Sequence, residues 1–147
     1  MGESDEAARS CDDVIDLHYL SAANGWSNFN WRAGFEVLAA GNGEAEIRMR
    51  WNDKFTQYAG YLHAGMIAAL LETACGFAAA TVAGSLTASH FSMNCLRPVM
   101  GRVLVAKGST VRAGRRQVFA RAELFAEDEQ GAISLVATGE TVLVPAG

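Results

Sequence analysis

The stretch His63-Ala64-Gly65-Met66-Ile67-Ala68-Ala69-Leu70-Leu71-Glu72-Thr73-Ala74-Cys75-Gly76-Phe77-Ala78-Ala79-Ala80-Thr81-Val82 carries one charge, that of Glu72, in an otherwise neutral run. A helix of this composition has no polar face to give to water, so it belongs in a core or in a bilayer. Its bulk is Ala and Gly rather than Leu and Ile, and strand-like segments crowd it on both sides. The expectation is one core helix, roughly His63 to Val82, covered by a sheet.

Upstream lie Phe35 to Ala40, a Gly41-Asn42-Gly43 turn and Glu44 to Trp51. Asn-Gly is a strong hairpin signal. In the second of these strands Ala45, Ile47, Met49 and Trp51 are predicted to face inward and Glu44, Glu46, Arg48 and Arg50 outward, the period of two expected of a half-buried strand. Downstream, Leu86 to Leu96 is closed by Pro98, which cannot donate to a ladder. Arg102 to Arg112, Arg115 to Ala126 and Ala132 to Val144 follow, joined by turns at Ala113-Gly114 and Asp128-Glu129-Gln130-Gly131. The order is β-β-α-β-β-β-β. One helix apolar on nearly all faces, among strands that alternate, implies an α+β chain in which a curved antiparallel sheet wraps a central helix, the hot-dog fold.

Ahead of this unit, Asp12 to Ala23 has a helical mix, with Val14, Ile15, Leu17, His18 and Leu20 on one side. Asn24 to Trp31 reads as a polar, aromatic loop whose rings cover a core edge. Residues 1–31 are therefore expected to be a tail and short helix, and residues 32–147 a single domain.

The whole chain, 147 residues and 50% hydrophobic, suits one domain with a real core. A net charge of −4 offers no general attraction to nucleic acid or to an anionic membrane. Cys11, Cys75 and Cys95 are odd in number and widely spaced, matching neither a disulfide framework nor a metal site, so free thiols and no metal are expected. The acidic start Met1-Gly2-Glu3-Ser4-Asp5-Glu6 lacks the basic, then apolar, pattern of a secretory signal, so a cytoplasmic protein is expected.

Glu72 is the residue that most needs a reason. An ionised carboxylate among Leu70, Leu71, Ala74 and Cys75 is unfavourable by several kcal/mol unless it is paired or its pKa rises. It is either a structural group bonded to a strand or a partner subunit, or a general base or nucleophile tuned toward neutral pH. Upstream, Gly60-Tyr61-Leu62-His63-Ala64-Gly65 runs straight into the helix, so the amides of Ala64 and Gly65 are expected unpaired at the positive end of the dipole, the makings of an oxyanion hole. Ordinary helix initiation with His63 as a cap is the plainer alternative. Eight residues separate Ala64 from Glu72, about 12 Å of helix rise, so one copy of the helix cannot bring both to one carbonyl. If both serve one site, two subunits share it.

Gln57, Gly60, Leu62-His63-Ala64-Gly65, Leu70-Leu71-Glu72-Thr73-Ala74, Cys95-Leu96-Arg97-Pro98 and Gly114-Arg115-Arg116 together resemble the PaaI-like and 4-hydroxybenzoyl-CoA thioesterase branches of the hot-dog superfamily, over about Phe35 to Val144. The resemblance implies hydrolysis of an acyl-CoA, or acyl-carrier-protein, thioester with no cofactor beyond the coenzyme A of the substrate. It implies that the Ala64 amide polarises the thioester carbonyl, that His63 orders the loop, and that Gln57 lies beside the thioester or the attacking water. Glu72 from the partner chain then attacks the acyl carbon or activates water, in a homodimer that pairs further into a tetramer. Further substrate contacts are expected from Gly65, Thr73, Gly76, Phe77 and Ser89, with Arg97, Gly114, Arg115 and Arg116, and Arg112 beside them, near the coenzyme A phosphates. Phe77, Phe91, Trp26 and Trp31 suit an aryl or medium-chain acyl group. Where the family has Gly this chain has Ala64, and Ala88 stands where many members have a hydroxyl; both departures also fit a non-catalytic acyl-CoA-binding protein, the alternative reading.

Overall fold

The computed structural model describes residues 15–146. Cys11 and the first three residues of the expected leading helix, Asp12 to Val14, lie outside them. Two short helices come first, α1 (Leu17–Trp26) and α2 (Asn28–Ala33), then strands β1 (Glu36–Gly41) and β2 (Glu44–Arg50), the long helix α3 (Ala64–Ala83), and strands β3 (Leu86–Cys95), β4 (Val103–Ala113), β5 (Val118–Glu127) and β6 (Ile133–Pro145). The six strands form one antiparallel sheet in the order β1-β2-β4-β5-β6-β3. Helix α3 touches every one of them from the concave side. This is the expected α+β hot-dog architecture.

The helix that by length and apolarity could span a bilayer lies against the sheet, with Leu70, Leu71, Ala74, Cys75, Ala78 and Ala79 fully buried. Small residues set how closely it lies. A methyl group on Gly108 of β4 would run into the backbone of α3, 3.1 Å from the Cys75 nitrogen, and one on Gly139 of β6 would sit 3.2 Å from both Leu71 Cδ1 and Phe91 Cε2. At the far end Thr81 donates to Ala78 O and accepts from the Gly43 amide at 2.8 Å, tying the β1–β2 hairpin to the last turn of the helix. That hairpin turns through Asn42 (φ 54°) and Gly43 (φ 80°), the left-handed pair that an Asn-Gly turn supplies.

In β2, Ala45, Ile47 and Met49 are buried and the charged residues between them are not, as the alternation predicts. Trp51 falls just past the strand and is only half buried, its Nε1 donating to Asp53.

Two boundaries depart from expectation. The segment from Asn24 to Trp31 is helical rather than a loop. Ser27, with extended backbone at φ −81° and ψ 116°, ends α1 and accepts from the Asn30 amide to begin α2. The break is one residue wide, too brief to show as a change of composition. The strand expected from Arg115 begins instead at Val118, because the Gly114 amide bonds to Gln117 O and leaves Arg115 and Arg116 at the tip of the β4–β5 hairpin.

Candidate active site

The loop before α3 is held at nearly every backbone group. Leu62 N donates to Val99 O, His63 N to Phe55 O and Gln57 N to Tyr61 O, while the Gln57 side-chain amide donates to Leu62 O at 3.1 Å. Ala59, at φ 59°, and Gly60, at φ 78°, take left-handed backbone in the tight turn between them. His63 is the N-cap of α3, its Nδ1 accepting from the Gly65 amide at 2.8 Å. Nδ1 is therefore the unprotonated nitrogen of the ring and Nε2 carries the hydrogen.

This corrects the expectation of two unpaired amides. The Gly65 N–H is occupied by its neighbour's imidazole, and a Cβ at Gly65 would come within 2.9 Å of that nitrogen. Only the Ala64 N–H, on the first residue of the helix, finds no protein acceptor among the described residues. It lies on the positive end of the dipole, where a developing oxyanion is favoured. Ala64 lines a cleft of about 550 Å³ with Gln57, Tyr58, Leu96, Arg97 and Pro98.

Two turns further along α3, Glu72 sits half buried and makes no ion pair or hydrogen bond among the described residues. Burial pushes its pKa up from the ordinary carboxylate value. A structural carboxylate bonded within its own chain is not what this geometry contains. Glu72, Thr73, Gly76 and Phe77 line a second cleft, of about 370 Å³, together with Leu86 and Leu143. Its other wall is α1 and α2, through Tyr19, Leu20, Ala23, Trp26, Ser27 and Asn30. The two clefts share no residue.

Glu72, Thr73, Gly76 and Phe77 are thus brought together, as are Gln57, Ala64 and Arg97. Other candidates stand apart. Ser89 is exposed on the edge strand β3, its hydroxyl bonded to Val142 O. Gly114, Arg115 and Arg116 line neither cleft, and Arg112 lines a groove on the outer face of the sheet with His90 and Phe119. Cys75, one turn from Glu72, is fully buried with its thiol pushed up to about 11 by burial, which removes it as a nucleophile. Among the described residues no group of three metal-ligating side chains occurs.

Nothing in the sequence points to Tyr19, Ser27 and Asn30 as lining residues, while Trp26, expected to suit the acyl group, does line the cleft but from a helix and not from a loop. The capping residues Asp16 and Ser27 were visible signals for the two helices. What brings them to Glu72 is a long-range contact: the Asn24 side chain donates to Phe35 O at 2.8 Å and pins α1 beside β1.

A family model described as the thioesterase superfamily matches residues 59–133, and the chain belongs to that superfamily. No functionally curated protein matches it significantly. A thioesterase family protein from Silicibacter pomeroyi superposes with a TM-score of 0.82 at 25% identity, covering 86% of this chain and 95% of that one. The E. coli PaaI protein from the phenylacetic acid degradation operon gives 0.75 at 19% identity, with 89% and 96% covered. Zebra fish thioesterase superfamily member 2 gives 0.76 at 22% identity, with 89% and 99% covered. The latter two share the fold, and membership of the superfamily makes thioester hydrolysis the general class of reaction.

Proposed function

We propose that the protein hydrolyses acyl-CoA thioesters at a site made by two copies of the chain, with the Ala64 amide from one and Glu72 from the other. The observation that carries this reading is the separation of the unclaimed Ala64 amide in the first turn of α3 and the Glu72 carboxylate, unpaired among the described residues, into clefts with no lining residue in common. With about 12 Å of helix rise between them, one chain alone cannot apply both to a single carbonyl.

The Ala64 N–H donates to the thioester oxygen and stabilises the charge that forms there. Glu72, its proton affinity raised by burial, attacks the acyl carbon or takes a proton from the water that does. On the general-base route the carbon–sulfur bond then breaks, and coenzyme A leaves as thiolate and takes up the water proton held by Glu72. On the nucleophilic route the departing thiolate leaves a mixed anhydride with Glu72, which water hydrolyses to restore the carboxylate and release the acid, whose proton passes to the thiolate. Gln57 holds the loop through Leu62 O and lines the cleft of Ala64, with His63 fixing the first turn. Arg97 faces the same cleft, and Arg115 and Arg116, exposed at a hairpin tip, can reach the phosphates of coenzyme A from a neighbouring chain. Pairing of two such dimers into a tetramer in the cytoplasm, with no metal or redox cofactor, completes the proposal.

The test is a panel of acyl-CoAs with a thiol reagent. Thiol release abolished by Glu72→Ala supports the reading; binding without release, unchanged by that substitution, leaves an acyl-CoA-binding protein instead. Mixing Glu72→Ala subunits with Gly65→Val subunits addresses the shared site, since a mixed dimer regains one working site. No recovery after confirmed subunit exchange overturns the sharing.

A further inference from the structure

We propose that α1 and α2 are the specificity wall of the acyl site, and that the Tyr19–Trp26 pair makes it select compact apolar acyl groups over long chains. This rests on the reading of the Glu72 cleft as the acyl side of a thioesterase site.

The cleft is bounded on one side by the core helix and sheet, through Glu72, Phe77, Leu86 and Leu143, and on the other by the two leading helices. At about 370 Å³ it falls at the small end of the roughly 300–1,000 Å³ typical of ligand sites. Its floor beside the carboxylate is Gly76, where a methyl group would lie 3.9 Å from both Glu72 Oε1 and Leu143 Cδ2. The space next to the carboxylate would take a methyl group at ordinary van der Waals contact, and the lining away from Glu72 is mostly apolar.

Tyr19 and Trp26 stand on the same side of α1 with ring centroids 5.8 Å apart and planes at 88°, an edge-to-face pair. Both line the cleft, yet Tyr19 is 46% exposed and Trp26 69% exposed. Large aromatic surface left in water at the rim of a cleft is unfavourable for the free chain and favourable once an apolar group covers it. The cleft is continuous from these rings to Glu72, so the group that covers them is the acyl part of the thioester held at that carboxylate. The wall is also stiff, since Asn24 anchors α1 through Phe35 O and Ser27 and Gly34 cap the turns that follow. A stiff aromatic rim sets a length limit that a mobile loop does not.

Trp31 provides the control. It is 70% exposed on α2 and touches neither cleft. The experiment compares hexanoyl-, octanoyl-, dodecanoyl- and benzoyl-CoA on the full-length wild type, Trp26→Ala, Tyr19→Ala and Trp31→Ala, by thiol release and by calorimetric binding to the same proteins carrying Glu72→Gln. The expected result is that Trp26→Ala and Tyr19→Ala raise the dodecanoyl-to-hexanoyl ratio about tenfold in kcat/KM and in affinity, through the change in pocket contacts. Trp31→Ala is expected to leave the ratio as in the wild type. A ratio that stays within twofold for both rim variants, or that moves equally with Trp31→Ala, overturns the proposal. Absence of thiol release by the wild type sinks the hydrolytic reading alone, because the binding ratios still judge the wall; binding with no dependence on chain length sinks the wall.

Discussion

At its N-terminus α3 is met by a loop in which nearly every polar group already has a partner, whereas two turns on Glu72 meets nothing that answers its charge. The loop is built from short-range bonds: Gln57 to Leu62, His63 to Gly65, and Gln57 N to Tyr61 O. In the first turn of the helix it leaves over one amide, that of Ala64, among the described residues. The Glu72 region is built from apolar side chains brought from α1, β3 and β6, and what it leaves over is one carboxylate. The lesson is that the two unpartnered groups come about in opposite ways, the amide by satisfying its neighbours in the first helical turn and the carboxylate by withholding partners altogether.

The hardest blow to this contrast is Glu72→Gln. It removes the charge and keeps the shape, so thiol release is expected to fall by about 10³-fold, within the usual range for loss of an acid–base group. The melting temperature is expected not to fall, since the carboxylate has no bond to lose. A drop in melting temperature with activity retained would make Glu72 a structural group.

At the other end, Gly65→Ala places a methyl group against the His63 imidazole and dislodges the cap. Loss of an N-cap is worth about 1 kcal/mol of stability. Denaturant unfolding should show that loss, and kcat should fall together with kcat/KM because the Ala64 amide moves. Unaltered kinetics with the stability loss present would detach the amide from catalysis.

The pH dependence sharpens the difference further. Glu72 is raised above its ordinary value of 4.5 by burial, so the folded chain holds that proton more tightly than the unfolded one. Its contribution to stability is full below 4.5 and is lost as the pH climbs through the raised folded value. Melting temperatures should therefore decline with pH across that window in the wild type and less so in Glu72→Gln. On the proposed mechanism, in which deprotonated Glu72 is the active form, the acid limb of the kcat/KM profile should likewise lie above the ordinary carboxylate value.

Glu36, whose carboxyl is held low chiefly by its 2.8 Å bond to Arg48, is the reverse case and the weakest probe. It is a partly exposed pair on the outer side of the β1–β2 hairpin. Glu36→Gln should reduce stability by less than about 1 kcal/mol and leave kinetics alone.

Much of this was legible in the chain. A 20-residue neutral run with one acid, an Asn-Gly turn between alternating segments and a Leu-Arg-Pro strand end carry short-range signals that survive folding unchanged. Occupation of the Gly65 amide was legible only as an alternative, the His63 cap, because the choice depends on the rotamer of His63. Nor was the tip position of Arg115 and Arg116, which one backbone bond from Gly114 to Gln117 decides. The α1–α2 wall was the largest omission. Residues near 20 meet residues 72–86 only after the sheet has curled, and nothing in a local pattern announces such a meeting.

The hydroxyl of Thr81 binds a backbone amide 38 residues away in sequence, in the hairpin of a different element. Deuterium uptake at that single Gly43 amide therefore reports the docking of the helix end on the sheet. When the hairpin and the last helical turn open as one cooperative unit, the two exchange at a common rate, and Thr81→Val uncouples their clocks without touching either cleft.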